Sequence, residues 1–477
     1  MSRKRVCQPG KAVLSAALRR SVGSLQVPNY RRWFAGQLVS ISGNWMQIVA
    51  EMWLVLTLTG SALALGVTTA LQFLPILLLG AWGGLVADSM PKRRLLLITQ
   101  ALMAVPALAL FALSATGDVA AWMVMGLVLA RGSVLAIDMP ARQSFVIEIV
   151  GADRLVNAVG LQSVLIHSSR ITGPAIAGLL IAGGGIELCF LLNAMSFGAM
   201  ILALRSLDTA ALAPPKLATR EPGAIRIAFQ YVTRTPELAI PLGMMALVGT
   251  LAFNFQVLLP LLARETFAGD ATAYSALVVA MGAGAVAGAL VTGARRRIGD
   301  RLLIGSALGF GMFGLIAAAA PTLTLAALAL VPLGAASVTF AAGINSTLQL
   351  AAEPHMRGRV MALYSIVFLG STAIGGPLTG LLSGALGPRA ALVMAGVAAV
   401  VAAVGARFAF ARAAERRVSP PAAGAGASAP AAGPDRAREC ERDGSAPAPT
   451  SARRRTERRH DPRSPAPRPR AGARAER

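Results

Sequence analysis

Between residues 34 and 410 the chain is a succession of long apolar stretches separated by short polar or basic breaks. A helix of about 20 residues crosses the roughly 30 Å hydrocarbon core of a bilayer, and each stretch is long enough to do so. The pattern predicts twelve spanning helices, at 34–58, 63–87, 95–115, 119–138, 155–182, 186–206, 238–262, 273–294, 302–319, 322–343, 357–383 and 388–410. It also divides the chain into an N-terminal segment (1–33), a six-helix half (34–206), a linker (207–237), a second six-helix half (238–410) and a tail (411–477). The end of the linker, "AIRIAFQYVTR", is apolar on one face and basic on the other, which predicts a helix lying on the membrane surface. The tail is Ala, Arg, Pro, Gly and Ser without an apolar period. It cannot bury enough surface to offset its ordering entropy and is expected to be disordered, with contact to lipid headgroups as an alternative role.

The halves read as copies. "RQSFVIEIVGADRLVNAVGLQSV" (142–164) lines up with "INSTLQLAAEPHMRGRVMALYSI" (344–366), and each is followed by a Gly-Pro stretch, "GPAIAGLL" and "GPLTGLL". Two six-helix halves repeated in parallel are the architecture of many secondary transporters, whose site lies between the halves near the bilayer midplane.

Polar positions inside the apolar stretches are few and ordered. In the first helix Gln37, Ser40, Asn44, Gln47 and Glu51 fall at steps of three and four, on one face. A polar stripe facing lipid is costly, so this face looks inward, either as a cavity wall or as a helix–helix seam joined by side-chain amides. A carboxyl closing the stripe favours the wall. Burial favours the neutral form of a carboxyl, which suits a residue that takes up and releases a proton.

Arg131 stands in the middle of "GLVLARGSVLAIDMP", where a charge costs roughly 2.5–3.5 kcal/mol on insertion scales. It needs an interior partner. Asp138, two turns on and close to the end of the predicted helix, is one candidate; Glu51 is the other and the working pair. A structural ion pair and a role in transport are both open. In the fifth helix Ser163, His167, Arg170 and Pro174 share a face, and Gln72, with Thr68, and Asn193 complete a polar lining. The second half offers Asn254, Gln256, Tyr364 and Ser365 but no mid-helix acid or base, so a charged wall faces an apolar one. That suits an amphiphilic or hydrophobic substrate. Small residues at helical spacing, Gly80–Gly84 and Gly376–Gly380–Gly384, predict close helix packing.

Composition narrows the class. Of 477 residues 55% are hydrophobic and 14% charged, too little polar matter for a soluble surface. The net charge of +23 suggests nucleic acid, but its distribution does not. Lys92, Arg93 and Arg94, then Lys216, Arg220, Arg226 and Arg234, then Arg295, Arg296 and Arg297, occupy alternate breaks. The breaks between them, such as 59–64, 114–120 and 319–324, have no Lys or Arg. By the positive-inside rule the basic breaks and both termini are cytoplasmic. Cys7, Cys189 and Cys440 are too scattered for a disulfide framework or a metal site, and the apolar part of the N-terminal segment is too short for a cleaved signal. No phosphate-binding Gly-rich loop is present, since Gly10-Lys11 continues into Ala-Val. Three histidines, one within a predicted span, exclude multi-histidine metal chemistry. No cofactor and no metal are expected.

"GLVADSMPKRR" (84–94), with Gly84, Asp88 and the cations Lys92 and Arg93, resembles the loop motif of the major facilitator superfamily between its second and third helices. It departs from the usual form at Ser89 and Pro91, and the matching second-half place, "GALVTGARRR", lacks the acid at Thr292. The run "NYRRWFAGQLVSISGNWMQ", with "DMPARQSFVIEIV" and "SSRITGPAIAGLL", is similar to the branch holding enterobactin exporters and macrolide efflux proteins. The resemblance implies an all-α fold of twelve transmembrane helices in the inner membrane of a bacterium, a monomer with protons and a small molecule as partners, and no nucleic acid. It implies that Asp88 with Arg93 and Lys92 latches the cytoplasmic side against helix eleven, and that Arg131 stands where the superfamily places an arginine implicated in proton coupling. Gly173, Pro174 and Gly178 resemble the fifth-helix motif of exporters. Glu51 has no counterpart in that pattern, and its role rests on the physical reading alone. Proton-driven export of a drug or siderophore-like molecule is the function implied; a metabolite importer or facilitator and a non-transporting sensor on the same fold are the alternatives.

Overall fold

The computed structural model describes residues 23–212, 224–293, 295 and 299–418. Thus Cys7, Lys216, Arg220, Arg296, Arg297 and Cys440 lie outside the described residues, as does the tail from 419 onward. Described residues outside the helices are short connections, and the helices belong to one unit, residues 1–419.

After a short 3-10 turn (Gly23–Gln26) the first half consists of α1 (Pro28–Thr59), α2 (Ala62–Ser89), α3 (Lys92–Thr116), α4 (Ala121–Val150), α5 (Leu155–Gly183) and α6 (Glu187–Arg205). A surface helix, α7 (Ala224–Arg234), leads into α8 (Pro236–Leu251) and α9 (Phe255–Leu261), then α10 (Ala271–Gly293), α11 (Asp300–Ala319), α12 (Leu323–Ala351), α13 (Arg357–Leu386) and α14 (Pro388–Val418). Eleven helical stretches among the described residues are long and apolar enough to cross a membrane. The helix α1, at 32 residues, has the length but is not among them. Its stripe of amides and acid lowers its hydropathy, and that stripe is buried against protein, where it does not meet lipid. The repeat is visible in the register: α5 begins at Leu155 and α13 at Arg357, the spacing at which the two sequence segments align.

Several helices outrun their apolar stretches. The predicted fourth helix stops at 138, yet α4 continues to Val150 because Ala141, Phe145 and Ile149 keep a buried stripe going past the polar residues. The tenth continues to Ala351, the twelfth to Val418, and the first begins at Pro28, whose fixed φ suits a first helical position. Hydropathy marks where lipid ends; backbone hydrogen bonding does not stop there. The predicted seventh helix (238–262) is broken. The helix α8 ends at Leu251, and Asn254 donates from Nδ2 to the Thr250 carbonyl at 2.7 Å, so a side chain meets an acceptor that the interrupted helix leaves open. A π turn, Leu262–Thr266, closes α9.

The linker helix forms as predicted, and it is packed on protein. Ala228 and Val232 are buried on α8 and α13, the Tyr231 hydroxyl accepts from the Glu353 backbone N–H, and Ile227, Phe229 and Arg226 stay exposed.

One end of the bundle carries Lys92, Arg93, Arg94, Arg154, Arg205, Arg295, Arg301, Arg357 and Arg359 and is called here the basic end. At the other, far end the halves meet through glycines. A Cβ placed on Gly66 of α2 would come 2.5 Å from the Gly376 carbonyl of α13, and one on Gly380 would come 2.5 Å from the Ala62 carbonyl. On the opposite side a Cβ on Gly178 of α5 would come 2.7 Å from Ser275 of α10, and one on Gly282 of α10 would come 3.0 Å from the Arg170 carbonyl. Arg264, after α9, donates to the Leu56 carbonyl of α1 at 2.7 Å.

The same helix faces part towards the basic end. Along α2, Leu77 still reaches Gly370, but a Cβ placed on Gly80 would meet no atom of another element within 4 Å. The close packing expected at Gly80 is absent, because α2 and α13 diverge beyond the contact of Leu77 with Gly370. Along α5 the face that is buried at Pro174 and Gly178 is exposed at Ser163, Gly160 and Val156. On α13, Gly376 is buried while Ser365, Ala362 and Gly358 are exposed. The halves are closed at the far end and splayed at the basic end.

This closure generates a prediction. With the native cysteines replaced, cysteines at Ala62 and Gly380 should cross-link readily under oxidant. Adding Gly66→Val should slow that cross-link several-fold, because its side chain occupies the space of the Gly376 carbonyl. An unchanged rate would mean that the far-end contact does not govern the closed state.

Candidate functional site

The polar stripe of α1 is built into the first half by glycines. A Cβ on Gly43 would strike the Asn193 amide and would approach the Ser196 hydroxyl to 2.6 Å, and one on Gly36 would come 2.7 Å from Ala203. These two positions let α6 lie close along α1. Gly132 does the same for α4 and α2, with the Gln72 carbonyl 2.5 Å from where its Cβ would be. Close approach is what brings short side chains within hydrogen-bond reach.

Two networks result. In the first, Arg131 Nη2 donates to Glu51 Oε2 at 2.6 Å. Gln47 Nε2 donates to the other oxygen, Oε1, at 2.7 Å. Asn193 Nδ2 donates to Gln47 Oε1, and Ser196 donates to Asn193 Oδ1 at 2.9 Å. Every donor in this chain is directed towards the Glu51 carboxylate. Gln47, Glu51 and Asn193 are fully buried, and Arg131 is 3% exposed. One Arg131 donor, Nε, has no partner.

In the second network Asp138 Oδ1 accepts from Thr99 at 2.6 Å and Gln100 at 2.9 Å, both on α3, while Oδ2 accepts from Arg142 Nε at 2.8 Å. Arg142 Nη1 reaches back to Gln37 of α1. Asp138 therefore partners Arg142, not Arg131, and sits well inside α4 instead of near its end. The expectation failed because α4 was cut short at 138. Its four-residue spacing to Arg142 is a favourable helical pair that becomes visible once the helix is extended.

These contacts decide between wall and seam. Gln37, Ser40, Gln47 and Glu51 are fully buried between α1, α3, α4 and α6, so the stripe is a seam. Asn44, expected in a cavity, is half-buried and bonds the Ser40 carbonyl of its own helix at 3.0 Å. Gln72 is buried with Oε1 unpartnered, while Thr68 bonds back to the Ala64 carbonyl.

A different face of α1 meets the gap between the halves. Trp45 is half-buried there, and the Arg170 guanidinium of α5 lies 5.0 Å from its ring centroid. His167, one turn away, is half-buried with Nδ1 unpartnered. Ser163 lies further towards the basic end, exposed, its hydroxyl turned back to the Val159 carbonyl at 3.1 Å. Gly173 and Pro174 are buried; a Cβ on Gly173 would come 2.5 Å from the Ser42 carbonyl of α1, and Gly178 lies against α10, so this motif brings α5 against both neighbours.

The second half contributes aromatic surface. Tyr364 stacks on Phe368 at 6.0 Å, and Phe253, at the break before α9, packs on Phe310, Phe340 and Phe368. Gln256 is half-buried with Oε1 unpartnered. Asn254, expected to line a cavity, is buried and held in the helix break beneath Gly375. The expected latch is not engaged. Asp88 has no hydrogen bond or ion pair among the described residues, and Arg93 donates to the Leu204 and Arg205 carbonyls, capping α6. Gly84 and Lys92 are buried within the first half.

Sequence reasoning missed Arg142, Thr99, Gln100 and Trp45. The helical spacing of Asp138 and Arg142 pointed to the first. Thr99 and Gln100 are adjacent polar residues in an apolar helix, a signal of inward facing; Trp45 had none.

Residues 21–423 match the family model described as transmembrane secretion effector. Among curated proteins, the chain is 27% identical to the staphyloferrin A transporter of Staphylococcus aureus over 54% of its own length, and it spans 65% of that protein. It is 27% identical to the enterobactin exporter EntS of Citrobacter koseri (74% of this chain, 81% of that protein) and 25% identical to macrolide efflux protein A of Streptococcus pyogenes (79% and 94%). Among solved structures, the nucleoside transporter NupG superposes with a TM-score of 0.64 at 14% identity, covering 80% of this chain and 99% of that one. A bacterial homologue of ferroportin in an inward-facing state gives 0.62 at 16% identity, covering 80% and 98%. These are likenesses of fold.

Removing one member of the buried pair should cost more than removing both. Glu51→Ala should destabilise the purified protein by about 3–5 kcal/mol, because it strands Arg131, and Glu51→Ala with Arg131→Ala should recover part of that loss. Thermal unfolding of the four proteins in detergent checks it; additive losses would mean the pair is not coupled.

Proposed function

The chain belongs to the transmembrane secretion effector family of the major facilitator superfamily, and from that membership we propose that it is a proton-coupled exporter of an amphiphilic small molecule. The observation that carries this reading is the buried Arg131–Glu51 pair in a bundle that is open at one end only.

With the positive-inside rule placing the basic end and both termini in the cytoplasm, the splayed state is open inward. An exporter loads from this side. The halves then rock so that the far-end glycine contacts part and the basic end closes, where Asp88 and its neighbouring cations meet α13. Glu51 carries the proton. Ionised, it accepts from both Arg131 and Gln47. Protonated, it gives up its charge, and Arg131 becomes an unpaired cation out of water. That cost falls unequally on the two states of the bundle, and such a difference is what allows a proton to bias their populations. Asp138 and Arg142 hold α4 to α3 and α1 during the motion, so the first half moves as a body. The protein works as a monomer in the inner membrane, with no cofactor or metal.

In an efflux-deficient bacterial host, wild type should lower the accumulation of at least one compound from a panel of dyes, antibiotics and siderophores, and an uncoupler should abolish the difference. Glu51→Gln, at matched membrane levels, should lose export against a gradient while still binding the compound. Equal export by Glu51→Gln would remove Glu51 from the coupling. Accumulation raised by the protein would instead make it an importer, and binding without transport a sensor.

A further inference from the structure

The first half carries a mid-helix cation that its own residues do not neutralise. Arg131 has Glu51 and Arg142 has Asp138; among the described residues Arg170 has no carboxylate partner. Arg170 lies near the middle of α5, half-buried. The Trp45 ring, its centroid 5.0 Å from the guanidinium carbon, attracts the cation without cancelling the charge. Its Nε proton has no acceptor, and Nδ1 of His167, on the same face, is also unpartnered.

Its position decides which direction a partner comes from. The α5 face is exposed at Val156, Gly160 and Ser163, half-buried at His167 and Arg170, and buried at Pro174. Arg170 therefore stands at the inner end of the opening, where its carbonyl approaches Gly282 of α10. The second half supplies no counter-ion there. The helices α10 and α12 contain no charged residue, and in α13 only Arg357 and Arg359, at its basic end, are charged. A guanidinium held at midplane depth is costly unless paired, and the open side is where a pairing group would arrive.

We propose that Arg170, beside Trp45 and flanked by His167, is the subsite for an anionic group, a carboxylate or sulfonate, on the amphiphilic substrate. The anion takes the fork of the guanidinium, and the apolar body faces the uncharged inner face of the second half around Tyr364 and Phe368. This rests on the reading of the chain as a transporter of amphiphiles and adds the sign of the substrate's charge. It also gives the two arginines different work: Arg131 holds a protein carboxylate, and Arg170 waits for one that arrives.

Three probes with one body test it: pyrenebutyrate, its neutral methylamide and the cationic pyrenebutylamine. Binding to the full-length protein in lipid nanodiscs is measured by fluorescence polarisation without a proton gradient, with empty nanodiscs subtracted. Wild type should bind the butyrate about tenfold more tightly than the methylamide, with the amine weakest. Arg170→Gln should lower butyrate affinity to that of the methylamide and leave the methylamide unchanged, and Arg170→Lys should retain part of the preference. A butyrate that binds wild type no better than the methylamide, or not at all, overturns the proposal, as does a preference that survives Arg170→Gln. If that variant does not fold, the wild-type charge series and Arg170→Lys decide. Because no gradient is present, an anion preference without uncoupler-sensitive export would defeat only the exporter reading. Export without the preference would defeat only this one.

Discussion

The cost of holding charge away from water governs this molecule. Two fully buried acids, Glu51 and Asp138, and three arginines, Arg131, Arg142 and Arg170, lie inside the first half, where an unpaired ion is far more expensive than at a surface. Four of the five solve the problem in pairs, and each pair is surrounded by amides and hydroxyls that complete its hydrogen bonds. The pairs tie α4 to α1 and α3, and the amides add α6. A half built this way has few ways to rearrange internally without exposing an ion to an apolar environment. Motion is directed to the interface between the halves, which contains almost no charge.

That interface is made for motion in a different manner. Gly66, Gly178, Gly282, Gly376 and Gly380 meet backbone or short side chains across it, so close contact rests on shape and dispersion, with few directional bonds to break. Such contacts part and re-form at low cost compared with an ion pair. The second half follows the same division: an aromatic cluster around Phe253 stiffens it, and its inner face stays free of charge.

Much of this was legible in the sequence, for physical reasons. The apolar stretches gave the number and order of the helices because bilayer thickness sets their length. The three- and four-residue spacing from Gln37 to Glu51 put the stripe on one face. The candidate partnership of Arg131 with Glu51 was written in the scarcity of acids. What could not be read was depth. Whether the stripe faced water or protein depends on how close α6 comes, and that is set by Gly36 and Gly43, whose partners are some 150 residues away. Asp138 was misplaced because hydropathy ended α4 early, hiding Arg142. Asn254 reads in the sequence as a lining residue because an amide in an apolar run signals a cavity and a helix break equally well.

That break has a mechanical meaning. Contacts from the second half to α1 at the far end come from α9, seven residues long, from Arg264 just after it, and from Tyr274 of α10, which stacks on Trp53 at 6.2 Å. Because Asn254 already holds the carbonyl that a continuous helix would have used, no backbone hydrogen bond runs unbroken from α8 into α9. The stub can tilt as a separate piece while α8 stays packed on its neighbours. This part of the far-end seal is therefore a short lever on a joint, set beside the glycine contacts of the full-length helices α2, α13, α5 and α10.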